Sequence, residues 1–110
     1  MNNIMTINGR KALIQYDPKI DLFRGEFFGL SGGADFYAPD VEGLRAEGSR
    51  SLNVYLAMCR EKGIAPYKFY SGRFNVRISP DLHAAAVTVA TASGKSLNDF
   101  VMEAIADRVR

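Results

Sequence analysis

The chain has 110 residues, 47% of them hydrophobic and 24% charged, with a formal net charge of +2. That length and balance exclude a disordered chain and leave room for one compact domain or two very small ones. A single cysteine, Cys59, and a single histidine, His83, exclude an internal disulfide, a cysteine-based zinc site and most acid–base constellations, and no apolar run is long enough to cross a bilayer.

Charge is spread evenly. Residues 1–70 hold nine Lys and Arg against eight Asp and Glu, and residues 71–110 hold five against four. Nucleic-acid binding is argued from concentrated charge rather than a slight excess, so any case for it must come from geometry. The opening MNNIMTINGRK lacks the apolar stretch of a secretory signal, which gives a cytosolic location as the expectation.

The first part of the chain reads as a strand meander. KALIQYD, Lys11 to Asp17, alternates Ala12, Ile14 and Tyr16 against Lys11, Leu13 and Gln15, and the turn-forming DPKID follows. LFRGEFFGL, Leu22 to Leu30, is the return strand, with Phe23, Gly25 and Phe27 on one face and Leu22, Arg24 and Glu26 on the other. SGGA breaks it, and DFYA offers a third short strand. Two or three antiparallel strands cannot bury their own face and need a helix. PDVEGLRAEGSRSLNVYLAMCREKG supplies one, with Asp40 as N-cap and Gly63 as stop. Val41, Leu44, Leu52, Tyr55, Leu56 and Cys59 fall near one stripe, which makes Cys59 a core residue, while Gly43 and Gly48 predict fraying or bending in the first half. IAPYKFYS then suits a connector lying against one of the two parts, with Phe69 and Tyr70 tacked down.

The last forty residues change pattern. RFNVRIS alternates strictly, with Phe74, Val76 and Ile78 on one face of a strand and Arg73, Asn75 and Arg77 on the other. Ser79 before Pro80 is an N-cap followed by proline at the first helical position, and Leu82, Ala85, Ala86, Val89 and Ala90 recur at helical spacing up to Gly94. Ser96 with Asp99 has the form of a capping box, and Leu97, Phe100, Val101, Ala104, Ile105 and Val109 make a second stripe. One strand and two helices are too small to be stable alone. Two copies solve this by pairing their strands into an antiparallel ribbon over four helices, with Phe74, Val76, Ile78, Leu82, Phe100, Val101 and Ile105 as the dimer core. The other face of such a ribbon fits the major groove of B-DNA, where Arg matches guanine and Asn matches adenine.

RFNVRIS followed by PDL and GKSLNDF resembles the ribbon-helix-helix class of Arc and MetJ repressors. The resemblance implies base-reading roles for Arg73, Asn75 and Arg77, and a phosphate clamp at the backbone of Ser96, Leu97 and Asn98 with Lys95 beside it. Taken whole, the chain is similar to the HicB family of antitoxins: YDPKIDLFRGEFFGL, Y-L-x-x-C-x-E-x-G from Tyr55 to Gly63, SGRFNVRISPDLH and GKSLNDFV stand in the expected order. It departs from the family pattern at Gly48, where a large apolar residue is commoner, and in SGGADFY.

The fold class expected is α+β, an N-terminal antiparallel meander packed on a helix followed by a dimeric ribbon-helix-helix. The resemblance implies that the meander is a partial RNase H fold. The domains expected are 1–66 for toxin binding, 67–72 as connector, and 73–110 for DNA binding and dimerisation. The implied partners are operator DNA at the protein's own promoter, a HicA-like RNA-cleaving toxin and a second copy, with assembly into tetramers and the toxin-contact residues left open. No cofactor, metal, catalytic residue or membrane contact is expected. Asp17, Asp21, Glu26, Asp35 and Asp40 read as solvated turn and strand-end acids rather than a two-metal nuclease site, and His83 as a solvated helix residue. The rival readings are a stand-alone ribbon-helix-helix repressor with a ligand- or protein-sensing front domain, and a degenerate RNase-H-like enzyme.

Overall fold

Four strands and one long helix take up the first part of the chain in a computed structural model, which describes residues 3–110. The first two residues of the expected 1–66 domain lie outside it. The strands β1 (Ile4–Ile7), β2 (Arg10–Asp17), β3 (Leu22–Phe27) and β4 (Asp35–Ala38) form one antiparallel sheet in the order β1-β2-β3-β4. Helix α1 (Val41–Lys62) follows, then α2 (Pro80–Ala92) and α3 (Leu97–Arg108). The class is α+β with an antiparallel meander, and the chain divides into two compact units between Ser71 and Gly72.

Strand β1 is an addition to the expected meander. It is joined to β2 by Asn8 and Gly9, both at positive φ (50° and 77°), in the two-residue turn whose twist matches that of the flanking strands. Ile7 pairs with Arg10 across it, and the alternation turns Met5 and Ile7 toward the helix. β2 and β3 pair from Ala12 with Phe27 to Asp17 with Leu22, and β3 pairs with β4 from Phe23 with Ala38 to Glu26 with Asp35. Ala12, Phe27, Phe36 and Ala38 are therefore buried on one face, where Leu44, Leu52, Tyr55 and Cys59 of α1 meet them. Val41 departs from the expected stripe and is exposed, because it opens the helix beyond the sheet contact.

The expected weakness at Gly43 and Gly48 is not seen, and α1 is continuous over 22 residues. Asp40 Oδ1 accepts from Gly43 N–H at 2.7 Å, which fixes the start. Gly63 (φ 67°) ends the helix, and Ile64 N–H donates to the Cys59 carbonyl at 2.9 Å. Gly48 is buried where helix and sheet approach most closely: a Cβ there would stand 2.5 Å from Ile7 Cδ1 and 3.1 Å from the Phe36 ring. Those two side chains fill the volume that a large residue at position 48 would take. The ring of Phe36 also lies over Gly25, whose missing side chain makes room for it.

The segment after α1 is held to the front unit as far as Lys68. Ser31 N–H donates to the Pro66 carbonyl (2.9 Å), Lys68 N–H to the Gly29 carbonyl (2.8 Å), and Tyr67 bridges Leu30. The Arg10 guanidinium stacks on the Tyr67 ring at 3.5 Å. Phe69 and Tyr70 are not tacked down, with 90% and 74% of their surface exposed. The hydrogen-bonded run stops one residue before them, so no neighbouring strand holds their side chains down.

Candidate functional site

The second unit contains the residues expected to read DNA. Ser79 Oγ accepts from Leu82 N–H at 3.1 Å and starts α2, with Pro80 at its first turn. Gly94 (φ 70°) follows α2, and Ser96 Oγ accepts from Asp99 N–H at 3.0 Å to start α3. The two helices pack on one another, and Ala90 is the one buried hydrophobic residue of this unit.

The expected strand is not part of a sheet: among the described residues, 74–79 enter neither a sheet nor a helix. A strand needs a hydrogen-bonding neighbour, and the four-stranded sheet lies entirely within residues 4–38. The residues expected as dimer core are accordingly uncovered. Phe74 is 70% and Val76 64% exposed, Ile78, Leu82, Val101 and Ile105 are exposed as well, and Phe100 is half-buried. Arg73, Asn75 and Arg77 are exposed beside them, so the single chain does not divide the alternating residues into a dry and a wet face.

Asn75, Val76, Arg77 and Ile78 line an open groove of about 530 Å³ together with His83. Sequence reasoning gave His83 no part. Its position one turn into α2 brings it back beside the segment that precedes the helix, and its backbone N–H donates to the Ser79 carbonyl at 3.0 Å.

At the expected phosphate clamp, Leu97 and Asn98 are the first residues of α3, so their N–H groups find no partner within the helix. Ser96 Oγ is used in the cap, and Asn98 Nδ2 contacts Met102 Sδ at 3.6 Å. The Lys95 ammonium, just before α3, forms an ion pair with Glu103 of that helix, so an anion there would compete with a carboxylate for it. No pattern in the sequence pairs these two, since they are eight residues apart and one precedes the helix.

The acids of the front unit are dispersed, and among the described residues no group of His, Cys, Asp or Glu is arranged to hold a metal ion. Asp40 caps α1, and Asp17 Oδ1 accepts from Lys19 N–H at 3.0 Å. Glu26 and Asp35 stand opposite one another on neighbouring strands, with Arg24 paired to both. Its hydrogen bond to Asp35 raises the Arg24 pKa further. Tyr16 Oη donates to Asp21 Oδ1 at 2.6 Å, and that bond, burial and the charge of Asp17 raise the phenol above its ordinary value. Tyr55 Oη gathers the loops: it donates to the Pro66 carbonyl (2.9 Å), accepts from Gly32 N–H (2.9 Å) and meets Ser31 Oγ at 2.7 Å. Cys59 is buried, as its place in the stripe predicts.

Residues 55–105, from the middle of α1 into α3, match the model of the HicB family. Over that stretch the chain is similar to the HicB family. No match is found among curated proteins or among solved structures. The matched stretch holds the Tyr55–Gly63 motif, the RFNVRIS segment and the cap that opens α3. The match points to a function related to toxin–antitoxin systems, and among the described residues no helix is long and apolar enough to cross a membrane.

Proposed function

We propose that this HicB-like chain is a non-enzymatic antitoxin: its front unit, residues 1–66, sequesters a HicA-like RNA-cleaving toxin, and its tail, residues 73–110, dimerises and represses its own operon. The observation that carries the reading is the tail's uncovered apolar set, Phe74, Val76, Ile78, Leu82, Val101 and Ile105, within the stretch that matches the family. A unit with one buried hydrophobic residue does not hold two helices in place by itself. A second copy supplies the missing strand, and pairing of residues 73–79 with their symmetry mates satisfies the backbone and dries the apolar side chains in one step.

Pairing also sorts the alternation. With Phe74, Val76 and Ile78 turned onto four helices, Arg73, Asn75 and Arg77 are left on the outer face as a two-stranded ribbon of major-groove width, with Arg and Asn as base-reading side chains. The N–H groups of Leu97 and Asn98 at the start of α3 suit a phosphate on either side.

Replacing Arg77 or Asn75 by alanine tests the DNA half of the reading. Each change removes a base contact worth about 1–3 kcal/mol of discrimination, felt in both half-sites of a symmetric dimer. The ratio of operator affinity to random-DNA affinity, taken at two salt concentrations, falls for both variants while the dimer persists. An unchanged ratio shows that this face does not read bases.

A further inference from the structure

The front unit has an open apolar corner that its own helix does not fully cover. Helix α1 lies chiefly against β4, with lighter contact to β1 and β3, so the corner where β2 ends and β3 begins is only partly covered. There a cleft of about 500 Å³ is lined by Met5, Ile14, Tyr16, Phe23, Val41 and Leu44, among other residues. Leu44 forms its floor, while Tyr16 and Val41 stand exposed at its mouth.

The rim is acidic. Asp21 Oδ1 accepts a hydrogen bond from Tyr16 Oη at the mouth, Asp17 is near enough for its charge to act on the same phenol, and Asp40 and Glu42 flank Val41 in the chain. Among the described residues, the cations near these acids are Lys19, in the same turn as Asp17 and Asp21, and Arg45, whose guanidinium donates to the Thr6 carbonyl at 3.3 Å. Among the described residues, these carboxylates outnumber those two cations.

That charge selects the occupant. Nucleic acid is repelled by it. A second copy docking about a two-fold axis would set the same acids against one another. A protein that binds and cleaves RNA must carry a basic surface to hold the phosphates, and such a surface complements an acidic rim around an apolar seat. We infer that this corner of the front unit receives a basic segment of the ribonuclease partner, with an apolar side chain seated against Tyr16, Phe23 and Val41. The inference rests on the antitoxin reading and names the surface that reading leaves open. Occupying the cleft takes basic residues of the toxin out of contact with RNA.

The test uses the full chain and the ribonuclease that co-purifies with its tagged form, freed in denaturant, refolded and recognised by RNA cleavage. Val41→Lys removes the apolar lip and adds a like charge, and its toxin affinity falls about tenfold or more, as for a central apolar anchor. Glu42→Gln lowers affinity about two- to threefold at low salt, and that difference disappears in high salt, as for a rim charge. Both side chains are exposed, so neither change opens the core. Tyr37→Ala, on the opposite face of the sheet, leaves affinity unchanged. Wild-type affinity in both Val41→Lys and Glu42→Gln overturns the inference and leaves the antitoxin reading standing. A complex that contains no ribonuclease overturns both.

Discussion

The front unit closes a core within one chain, and the tail does not. In the front, eleven buried residues among those described, from four strands, the loop between β3 and β4, and α1, form one cluster, and Gly25 and Gly48 allow Phe36 and Ile7 to fit between sheet and helix. The tail has equally well-formed local structure, with a serine cap on each helix and a left-handed glycine between them, yet buries only Ala90 among its hydrophobic residues. Good caps and helical periodicity specify where helices begin and end. They do not supply a core.

If that contrast is right, the two units respond differently to protein concentration and to core damage. The largest effect expected is from Ile78→Asp in the tail. A charge in the dry face of the paired ribbon costs more than a marginal dimer can absorb, so the variant sediments as a monomer and loses much of its helical circular dichroism from residues 80–108. In the unmodified protein the tail transition moves to higher temperature as concentration rises, while the front transition stays fixed. A tail that unfolds at the same temperature across a hundredfold concentration range would remove the contrast and the dimer with it.

Next in size is Phe36→Ala in the front unit. Phe36 packs on Phe27, Gly25 and Gly48, and its removal leaves a cavity that costs about 3–5 kcal/mol. Gly48→Leu tests the same contact from the other side. It overpacks the Ile7–Phe36 junction and costs about 1–3 kcal/mol or more, although leucine is the better helix former. Both changes lower the front transition in a denaturant melt and leave operator binding by the tail unchanged.

Much of this division was legible in the sequence. The strands at residues 11–17 and 35–38, the Asp40 and Ser79 caps, the Gly63 stop and the burial of Cys59 follow from alternation, spacing and capping chemistry, and the structure has them all, while the return strand expected over residues 22–30 ends at Phe27, before Gly29 at positive φ. Strand β1 was missed although Asn8–Gly9 is a strong hairpin signal, because only four residues precede the turn in that strand and Thr6 and Met5 blur the alternation. Gly48 was misread for a different reason. Helix propensity is a local quantity, and the Ile7 and Phe36 side chains that need the space lie 41 and 12 residues away. Phe69 and Tyr70 were expected to be covered because aromatic residues usually are, but coverage depends on where the hydrogen-bonded run ends, and it ends at Lys68. The alternation of RFNVRIS is plain in the sequence, whereas a pairing that needs another copy cannot be displayed by one chain.

A smaller effect is expected from the tail's caps. Ser79→Ala removes the acceptor for Leu82 N–H at the exposed start of α2 and costs about 1 kcal/mol. In a dimer the loss is counted in both chains, so the midpoint of dimer dissociation shifts although no residue of the apolar face has changed. The same substitution leaves the front transition where it is.

The smallest effect concerns Lys95, and it turns on a contact that separates the structure from the sequence expectation. A free ammonium beside the α3 N-terminus would bind phosphate, and its removal would lower affinity for all DNA and flatten the salt dependence. Here Glu103 already holds that ammonium. Lys95→Ala therefore lowers DNA affinity only slightly, because phosphate must compete with a carboxylate for the side chain. Glu103→Gln does the reverse: it releases Lys95, raises affinity for operator and random DNA alike, and steepens the salt dependence. The double variant returns to the affinity of Lys95→Ala. If Lys95→Ala alone produces the full loss and Glu103→Gln none, the ion pair opens on DNA at negligible cost, and the backbone of Leu97 and Asn98 shares the phosphate with a lysine after all.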